Sequence, residues 1–88
     1  MAFLDRFLGR GKSPEQRRAE SLNKRAMNLI VRGKLDEAEQ ALQAALKLAP
    51  AMAAIHHNLG AVYLNEKKYD VALRSFRRAI QLDPQDVE

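Results

Sequence analysis

The sequence contains no cysteine and no tryptophan, and only 6% of its residues are aromatic. Without cysteine, the chain can form neither disulfide bonds nor thiolate metal sites. Only four glycines and three prolines occur in 88 residues, and almost no stretch alternates between apolar and polar residues as a strand does. These absences exclude a disulfide-stabilised fold and favour a chain made of helices.

Long hydrophobic runs are also missing. The longest one covers Ala51 to Ile55, far short of the ~20 residues that span a bilayer as a helix. The first residues, MAFLDRFLGRGKSP, do not resemble a secretory signal, because Asp5 and Arg6 interrupt the apolar stretch and no small-residue cleavage site follows. We therefore expect a cytoplasmic protein.

The net charge of +4 is distributed unevenly. Residues 1–34 hold nine Lys and Arg against three acidic residues, a net +6, whereas residues 35–88 hold six against eight, a net −2. This asymmetry is compatible with an acidic partner, a nucleic acid or an anionic membrane, although charge on a helix most often keeps one face in water. Nucleic acid is the least favoured partner, because the basic residues form a sparse ridge without interleaved aromatic side chains. These residues are Lys12, Arg17, Arg18, Lys24, Arg25, Arg32 and Lys34.

Helix-forming residues dominate the chain, and start and stop signals divide it into segments. Ser13 and Pro14 begin a helix that we expect to end near Arg32, because Gly33 stops it. Further helices are predicted at about 35–49, 52–65 and 69–82, joined by loops short enough to force antiparallel packing. A short amphipathic arm precedes them, with one apolar stripe formed by Phe3, Leu4, Phe7 and Leu8.

Two stretches of the sequence are nearly the same. Residues 34–50 read KLDEAEQALQAALKLAP, and residues 68–84 read KYDVALRSFRRAIQLDP, 34 positions later. A repeat of this length predicts stacked helical hairpins. The identical pairs are Lys34/Lys68, Asp36/Asp70, Ala38/Ala72, Ala45/Ala79, Leu48/Leu82 and Pro50/Pro84.

Residues 56–84, HHNLGAVYLNEKKYDVALRSFRRAIQLDP, resemble a tetratricopeptide repeat. The residues that carry the resemblance are Leu59, Gly60, Tyr63, Ala72, Phe76, Ala79 and Pro84. The preceding unit offers Leu22, Ala26, Leu29, Ala38, Leu42, Ala45 and Pro50 at signature positions, but it carries Arg25 where the second unit has Leu59. The resemblance implies an all-α fold of two antiparallel hairpins, with an arm at 1–12 and a two-repeat domain at 13–88. Repeat one covers about 19–52 and repeat two about 53–86.

The resemblance also implies a concave surface lined by the first helix of each hairpin. Apolar positions there would hold the side chains of a peptide, Asn23 and Asn58 its main chain, and Lys24 a carboxylate. Ile30 and Leu64 are equally compatible with closing the hairpins. The predicted groove residues are Asn23, Lys24, Met27, Ile30, His57, Asn58, Ala61 and Leu64.

Helical repeats normally bury each apolar face against the next unit, whereas this sequence ends at QLDPQDVE without a further helix. We expect another surface to cover the last face, and we favour self-association into a homo-oligomer. The arm could cover that face within one chain or in a neighbouring copy, two chains could stack end to end, or the chain could be part of a longer protein. The self-association candidates are Phe3, Leu4, Phe7, Leu8, Tyr69, Leu73, Phe76 and Ile80.

No pattern of catalytic residues is present. His56 and His57 are adjacent on a helix and point about 100° apart, so they cannot bind one metal ion together. We expect no enzyme activity, no metal and no cofactor. The resemblance instead implies a scaffold or adaptor that binds a protein or peptide. The alternative is a membrane-surface or nucleic-acid-associated helical protein that uses the basic, amphipathic N-terminus.

Overall fold

A computed structural model describes residues 12–84, which form four α-helices. These are α1 (Pro14–Val31), α2 (Leu35–Leu48), α3 (Ala53–Asn65) and α4 (Tyr69–Leu82). No strand occurs in this part of the chain. The prediction of an all-α fold is therefore confirmed, and each helix lies within a residue or two of its predicted bounds.

The start of α1 is formed by residues with a strong preference for that place. The Ser13 hydroxyl accepts a hydrogen bond from the backbone N–H of Gln16 at 3.0 Å. Pro14 follows as the first helical residue, where its missing N–H is not needed. Glu15 places a negative charge near the positive end of the helix dipole. The helix therefore begins where the sequence predicts.

The ends of α1 and α3 share one backbone geometry but not one residue type. Gly33 follows α1 with a φ of 78°, and Lys67 follows α3 with a φ of 64°. This left-handed conformation suits glycine but costs about 1–2 kcal/mol for a residue that has a Cβ atom. At both ends, two backbone N–H groups bond to the last helix carbonyls in a Schellman motif. The bonds run from Gly33 to Ile30, Lys34 to Leu29, Lys67 to Leu64 and Lys68 to Tyr63.

The four helices form two stacked hairpins. α1 packs against α2, α3 packs against α4, and α3 also packs against both helices of the first hairpin. Apolar side chains from the first three helices fill the space between the hairpins and form the core. These buried residues are Ala19, Ala26, Leu29, Ala38, Leu42, Ala45, Ile55, Leu59 and Val62.

Within the second hairpin, Gly60 lies against the ring of Phe76. A Cβ atom on Gly60 would lie 2.7 Å from Phe76 Cδ1 and Cε1, closer than unbonded carbon atoms can approach. The equivalent residues of the first hairpin are Ala26 and Leu42, which are both fully buried. The second hairpin thus combines the smaller residue, glycine, with the larger side chain, phenylalanine, whereas the first combines alanine with leucine. The packed volume is therefore similar in both hairpins.

Two sequence predictions concern contact with membranes. Among the helices of residues 12–84, none combines the length and apolarity that crossing a bilayer requires. The amphipathic arm, with Phe3, Leu4, Phe7 and Leu8, lies outside the described residues. Its role in covering the repeats or binding a membrane therefore stays a prediction.

Candidate interaction surfaces

A depression of about 320 Å³ lies between α1 and α3, the first helices of the two hairpins. Asn23 and Met27 line it from α1, and Ala54, His57 and Asn58 line it from α3. His57 is exposed, and Met27 is 50% exposed. The structure therefore brings four of the predicted groove residues together in one concave surface.

Asn23 and Asn58 are joined by a hydrogen bond in which Asn58 Nδ2 donates to Asn23 Oδ1 at 2.8 Å. Both side chains are buried, where an unpaired amide would be costly. The bond therefore orients both amides and links the two hairpins. The sequence predicts ligand contacts for both residues and does not predict the bond between them. The available signal is their separation of 35 positions, one more than the repeat.

The other predicted groove residues do not line the depression. Lys24 is exposed, and Ala61 is partly buried. Ile30 is partly buried and packs against the core, as expected of a residue that closes the first hairpin. Leu64 is 49% exposed, so it is accessible to a ligand.

The two adjacent histidines contact different parts of the molecule. His56 Nε2 lies 2.9 Å from the carbonyl oxygen of Pro50, which accepts a hydrogen bond from the protonated ring nitrogen. The ring of His57 meets the ring of Phe76 edge to face, with 5.4 Å between centroids. In the part of the chain that the structure describes, no three His, Asp or Glu side chains are close enough to hold a metal ion.

One face of α4 carries apolar side chains that no helix of residues 12–84 covers. Tyr69 is 60% exposed, Leu73 49% and Ile80 42%. Phe76 lies between them along the helix and is partly buried because it packs on Gly60. We call these residues the α4 face. Large apolar side chains in one stripe are unusual on a surface that has no partner.

The equivalent face of α2 is covered by a helix. Leu35 and Leu46, the equivalents of Tyr69 and Ile80, are partly buried against the core. Leu42, the equivalent of Phe76, is fully buried. α3 packs on α2, and no described helix packs on α4 in that way. The α4 face therefore has the composition of an interior surface, although no helix of residues 12–84 covers it.

The remaining position of this face, Leu73 on α4, is occupied by a residue of different chemistry on α2. On α2 it is Glu39, whose Oε2 accepts a hydrogen bond from the Tyr63 hydroxyl at 3.2 Å. Burial raises the pKa of Tyr63 above 10.0, and the charge of Glu39 and its hydrogen bond raise this pKa further. On α4 the equivalent residue is Leu73. Where α2 makes a polar contact with the second hairpin, α4 therefore carries an exposed apolar side chain.

The opposite end of the stack is polar. α3 packs on the first hairpin through Ile55, Leu59 and Val62, which are all buried. The equivalent residues of α1, found 34 positions earlier, are all polar and exposed: Ser21, Arg25 and Asn28. We call these three residues the outer face of α1. This face is suited to water and differs in this respect from the α4 face.

A larger depression of about 800 Å³ lies between α1 and α2. Six of the nine residues that line it are polar or charged, including Arg18, Asp36 and Lys47, which are all exposed. Apolar atoms nevertheless make up most of its exposed wall. This depression contains no residue that the sequence predicts as a site.

The sequence profile described as tetratricopeptide repeat matches residues 23–87 of the chain. This chain belongs to the tetratricopeptide repeat family. The four helices of residues 12–84 correspond to two repeats, and tetratricopeptide repeats in general are non-catalytic modules that mediate protein–protein interactions. A search among curated proteins gave no significant match.

The two candidate surfaces occupy different places in the tetratricopeptide repeats. The depression with Asn23 and Asn58 lies on the first helix of each repeat. The α4 face belongs to the second helix of the second repeat. The protein thus has two separate candidate surfaces: a depression lined by polar and apolar side chains, and an apolar helix face.

Proposed function

We propose that this tetratricopeptide repeat protein is a non-catalytic scaffold or adaptor of the cytoplasm, which binds a peptide segment in the depression and self-associates through a helix face. The observation that supports peptide binding is the meeting of exposed Met27 and His57 with a fixed pair of amides in one concave surface. Peptide sites combine apolar contacts with a few well-oriented polar groups.

The amide pair is suited to recognise a peptide main chain. The bond between Asn23 and Asn58 uses one oxygen and one N–H group, and each amide has further hydrogen-bonding capacity. Asn23 Nδ2 can donate to a peptide carbonyl, and Asn58 Oδ1 can accept from a peptide N–H. Because both amides are already oriented, binding loses less side-chain entropy.

The exposed side chains around the amides indicate the kind of peptide. Met27 is flexible and can pack against apolar side chains of different shapes. Leu64 offers a second apolar contact farther along α3, since it is 49% exposed. Lys24 is exposed on α1 and can pair with a carboxylate. We therefore expect a peptide that carries both apolar and acidic side chains.

Selection from a peptide library displayed on phage tests this proposal. Peptides enriched on the intact chain should bind the Met27→Glu variant at least about tenfold more weakly, because the new carboxylate replaces an apolar contact. The matched control is Ala44→Glu, an exposed α2 residue in the larger depression, which should keep full affinity. Circular dichroism checks that both variants fold. Loss of binding in Ala44→Glu alone would contradict the assignment.

The alternative of a membrane-surface or nucleic-acid-associated protein has no comparable support. Its apolar residues, in the arm of residues 1–12, lie outside the described residues. The basic side chains of α1 are exposed, which equally suits contact with water. Peptide binding is therefore the function that we propose.

A further inference from the structure

We infer that two copies of this chain associate through their α4 faces, antiparallel and related by a two-fold axis. This inference rests on the self-association part of the proposed function and specifies its geometry. Three observations carry it: the spacing of the α4 face, the charges beside that face, and the polarity of the opposite end of the stack.

The spacing of the α4 face is self-complementary. Tyr69, Leu73, Phe76 and Ile80 are separated by four, three and four positions, the spacing of apolar residues in a coiled-coil seam. This order is the same in both directions, so an antiparallel copy can pack in register. Tyr69 then lies opposite the partner's Ile80, and Leu73 lies opposite the partner's Phe76. A two-fold interface requires such a surface, because the same patch is used by both subunits.

Charged side chains beside the seam support the antiparallel register. Asp70 and Arg77 are both exposed on one flank of the stripe, and on the other flank Ala72 and Ala79 are buried. Asp70 and Arg77 are seven positions apart and therefore occupy the same position of a heptad. In an antiparallel seam, flanking residues at the same heptad position of the two helices are neighbours. Asp70 of one copy therefore lies beside the partner's Arg77, and the two-fold axis repeats this pair of opposite charges.

Head-to-tail stacking is disfavoured by the outer face of α1. Such a stack would place α1 of one copy on α4 of the next, as α3 lies on α2 within the chain. It would bury Arg25, with Ser21 and Asn28, against an apolar face, although α3 uses three apolar residues for the same purpose. Burying an unpaired guanidinium is costly. The α4 face of a second copy offers an apolar surface instead.

Sedimentation equilibrium of the full 88-residue chain provides the first test. We expect a dimer. Leu73→Glu should weaken it at least about 100-fold, because the substitution places a carboxylate in the seam of both subunits. Repeat one carries Glu39 at the equivalent position, so a glutamate suits the helix. Circular dichroism should therefore show unchanged helical content.

Two charge reversals test the register. Asp70→Arg alone and Arg77→Asp alone each place like charges beside each other at both ends of the seam, and each should weaken the dimer about fivefold or more. An equimolar mixture of the two variants restores opposite charges in the heterodimer and should dimerise like the unmodified chain. Neither head-to-tail stacking nor covering of α4 by residues 1–11 of the same chain leads to rescue on mixing.

Engineered cysteines give an independent measurement, since the chain has no cysteine of its own. A mixture of Tyr69→Cys and Ile80→Cys should form a disulfide-linked heterodimer on oxidation. Tyr69→Cys alone should not, because two-fold symmetry separates the two cysteines by about 16 Å along the helix. Equal cross-linking in both samples would contradict the register.

The outcomes separate this inference from the peptide proposal. A chain that stays monomeric at high concentration, a dimer unaffected by Leu73→Glu, or a mixture without rescue each overturns the inference. Peptides selected on the intact chain should still bind Leu73→Glu. If they do while the dimer tests fail, only the two-fold association is wrong. If mixing rescues the dimer but no peptide depends on Met27, the groove proposal fails and the dimer stands.

Discussion

At the scale of single residues, the two repeats fill the same space with different pairs. Gly60 lies against Phe76 in the second hairpin, and the buried residues Ala26 and Leu42 take the equivalent places in the first. Cores tolerate a change in one residue best when a neighbour changes in the opposite direction. The repeat therefore specifies a combined volume at this crossing more strictly than it specifies either residue.

Gly60→Ala should destabilise the chain by about 1–3 kcal/mol, because its Cβ atom would lie 2.7 Å from the Phe76 ring. The double variant with Phe76→Leu reproduces the pair found in repeat one and should recover part of the lost stability. Urea unfolding followed by circular dichroism measures the free energies of the single and double variants. Strictly additive changes would show that the two residues do not pack against each other.

At the scale of the helix, the end of α3 carries a strain that the end of α1 lacks. Lys67 and Gly33 have the same left-handed backbone conformation. The repeat aligns Lys67 with Gly33, which is the signal that predicts this conformation. From residue types alone, only Gly33 is expected to stop a helix, because lysine seldom ends a helix in this way.

Lys67→Gly should stabilise the chain by about 0.5–1 kcal/mol, since glycine removes the left-handed strain but is more flexible when unfolded. The matched control is Gly33→Ala, whose Cβ atom would have no neighbour within 4 Å. The free energy of unfolding of Gly33→Ala should be about 1 kcal/mol lower, through backbone conformation alone. Thermal unfolding compares the midpoints of the variants with that of the unmodified chain. A lower midpoint for Lys67→Gly would contradict the proposal that Lys67 is strained.

The helices themselves could be predicted closely, because capping signals coincide with apolar periodicity. Ser13 and Pro14 begin α1 as expected. The small differences lie at ends without strong signals: the predicted second helix reached Ala49, which caps α2, and the predicted third began at Met52, which caps α3. Periodicity does not resolve the backbone angles that separate a cap from a helical residue.

At the scale of the whole molecule, contacts between repeats were the least predictable feature. The hydrogen bond between Asn23 and Asn58 depends on how α3 is rotated against α1, and the pattern within one helix does not determine that rotation. The contact between Tyr63 and Glu39 is of the same kind. Groove residues could be assigned to a helix face from sequence, whereas their mutual bonds required the packed structure.

The Tyr63 contact predicts how alkaline pH affects the stacked repeats. Burial, then the charge of Glu39, raises the Tyr63 pKa in the folded chain above 10.0. The neutral phenol of Tyr63 therefore stabilises the folded chain. This contribution is complete below pH 10, where the phenol is neutral in both the folded and the unfolded chain, and it is lost as pH rises through the folded-state pKa. The free energy of unfolding should therefore fall more steeply above pH 10 in the unmodified chain than in Tyr63→Phe.

Urea unfolding between pH 8 and about 11 measures this difference. Glu39→Gln is an informative control, because it keeps the phenol but removes the negative charge that helps to raise its pKa. The excess pH dependence should become smaller in this variant. Identical slopes for the unmodified chain and Tyr63→Phe would contradict the raised pKa.

The polar outer face of α1 limits how far an assembly of this protein can grow. Since only one end of the described stack is apolar, the proposed association through α4 would stop at two chains and would not propagate into a fibre. Such a closed pair would carry two depressions and would be bivalent. A partner with two copies of the recognised segment meets a high effective concentration of the second site once the first is occupied. Ser21, Arg25 and Asn28 would in this way favour avidity over polymerisation.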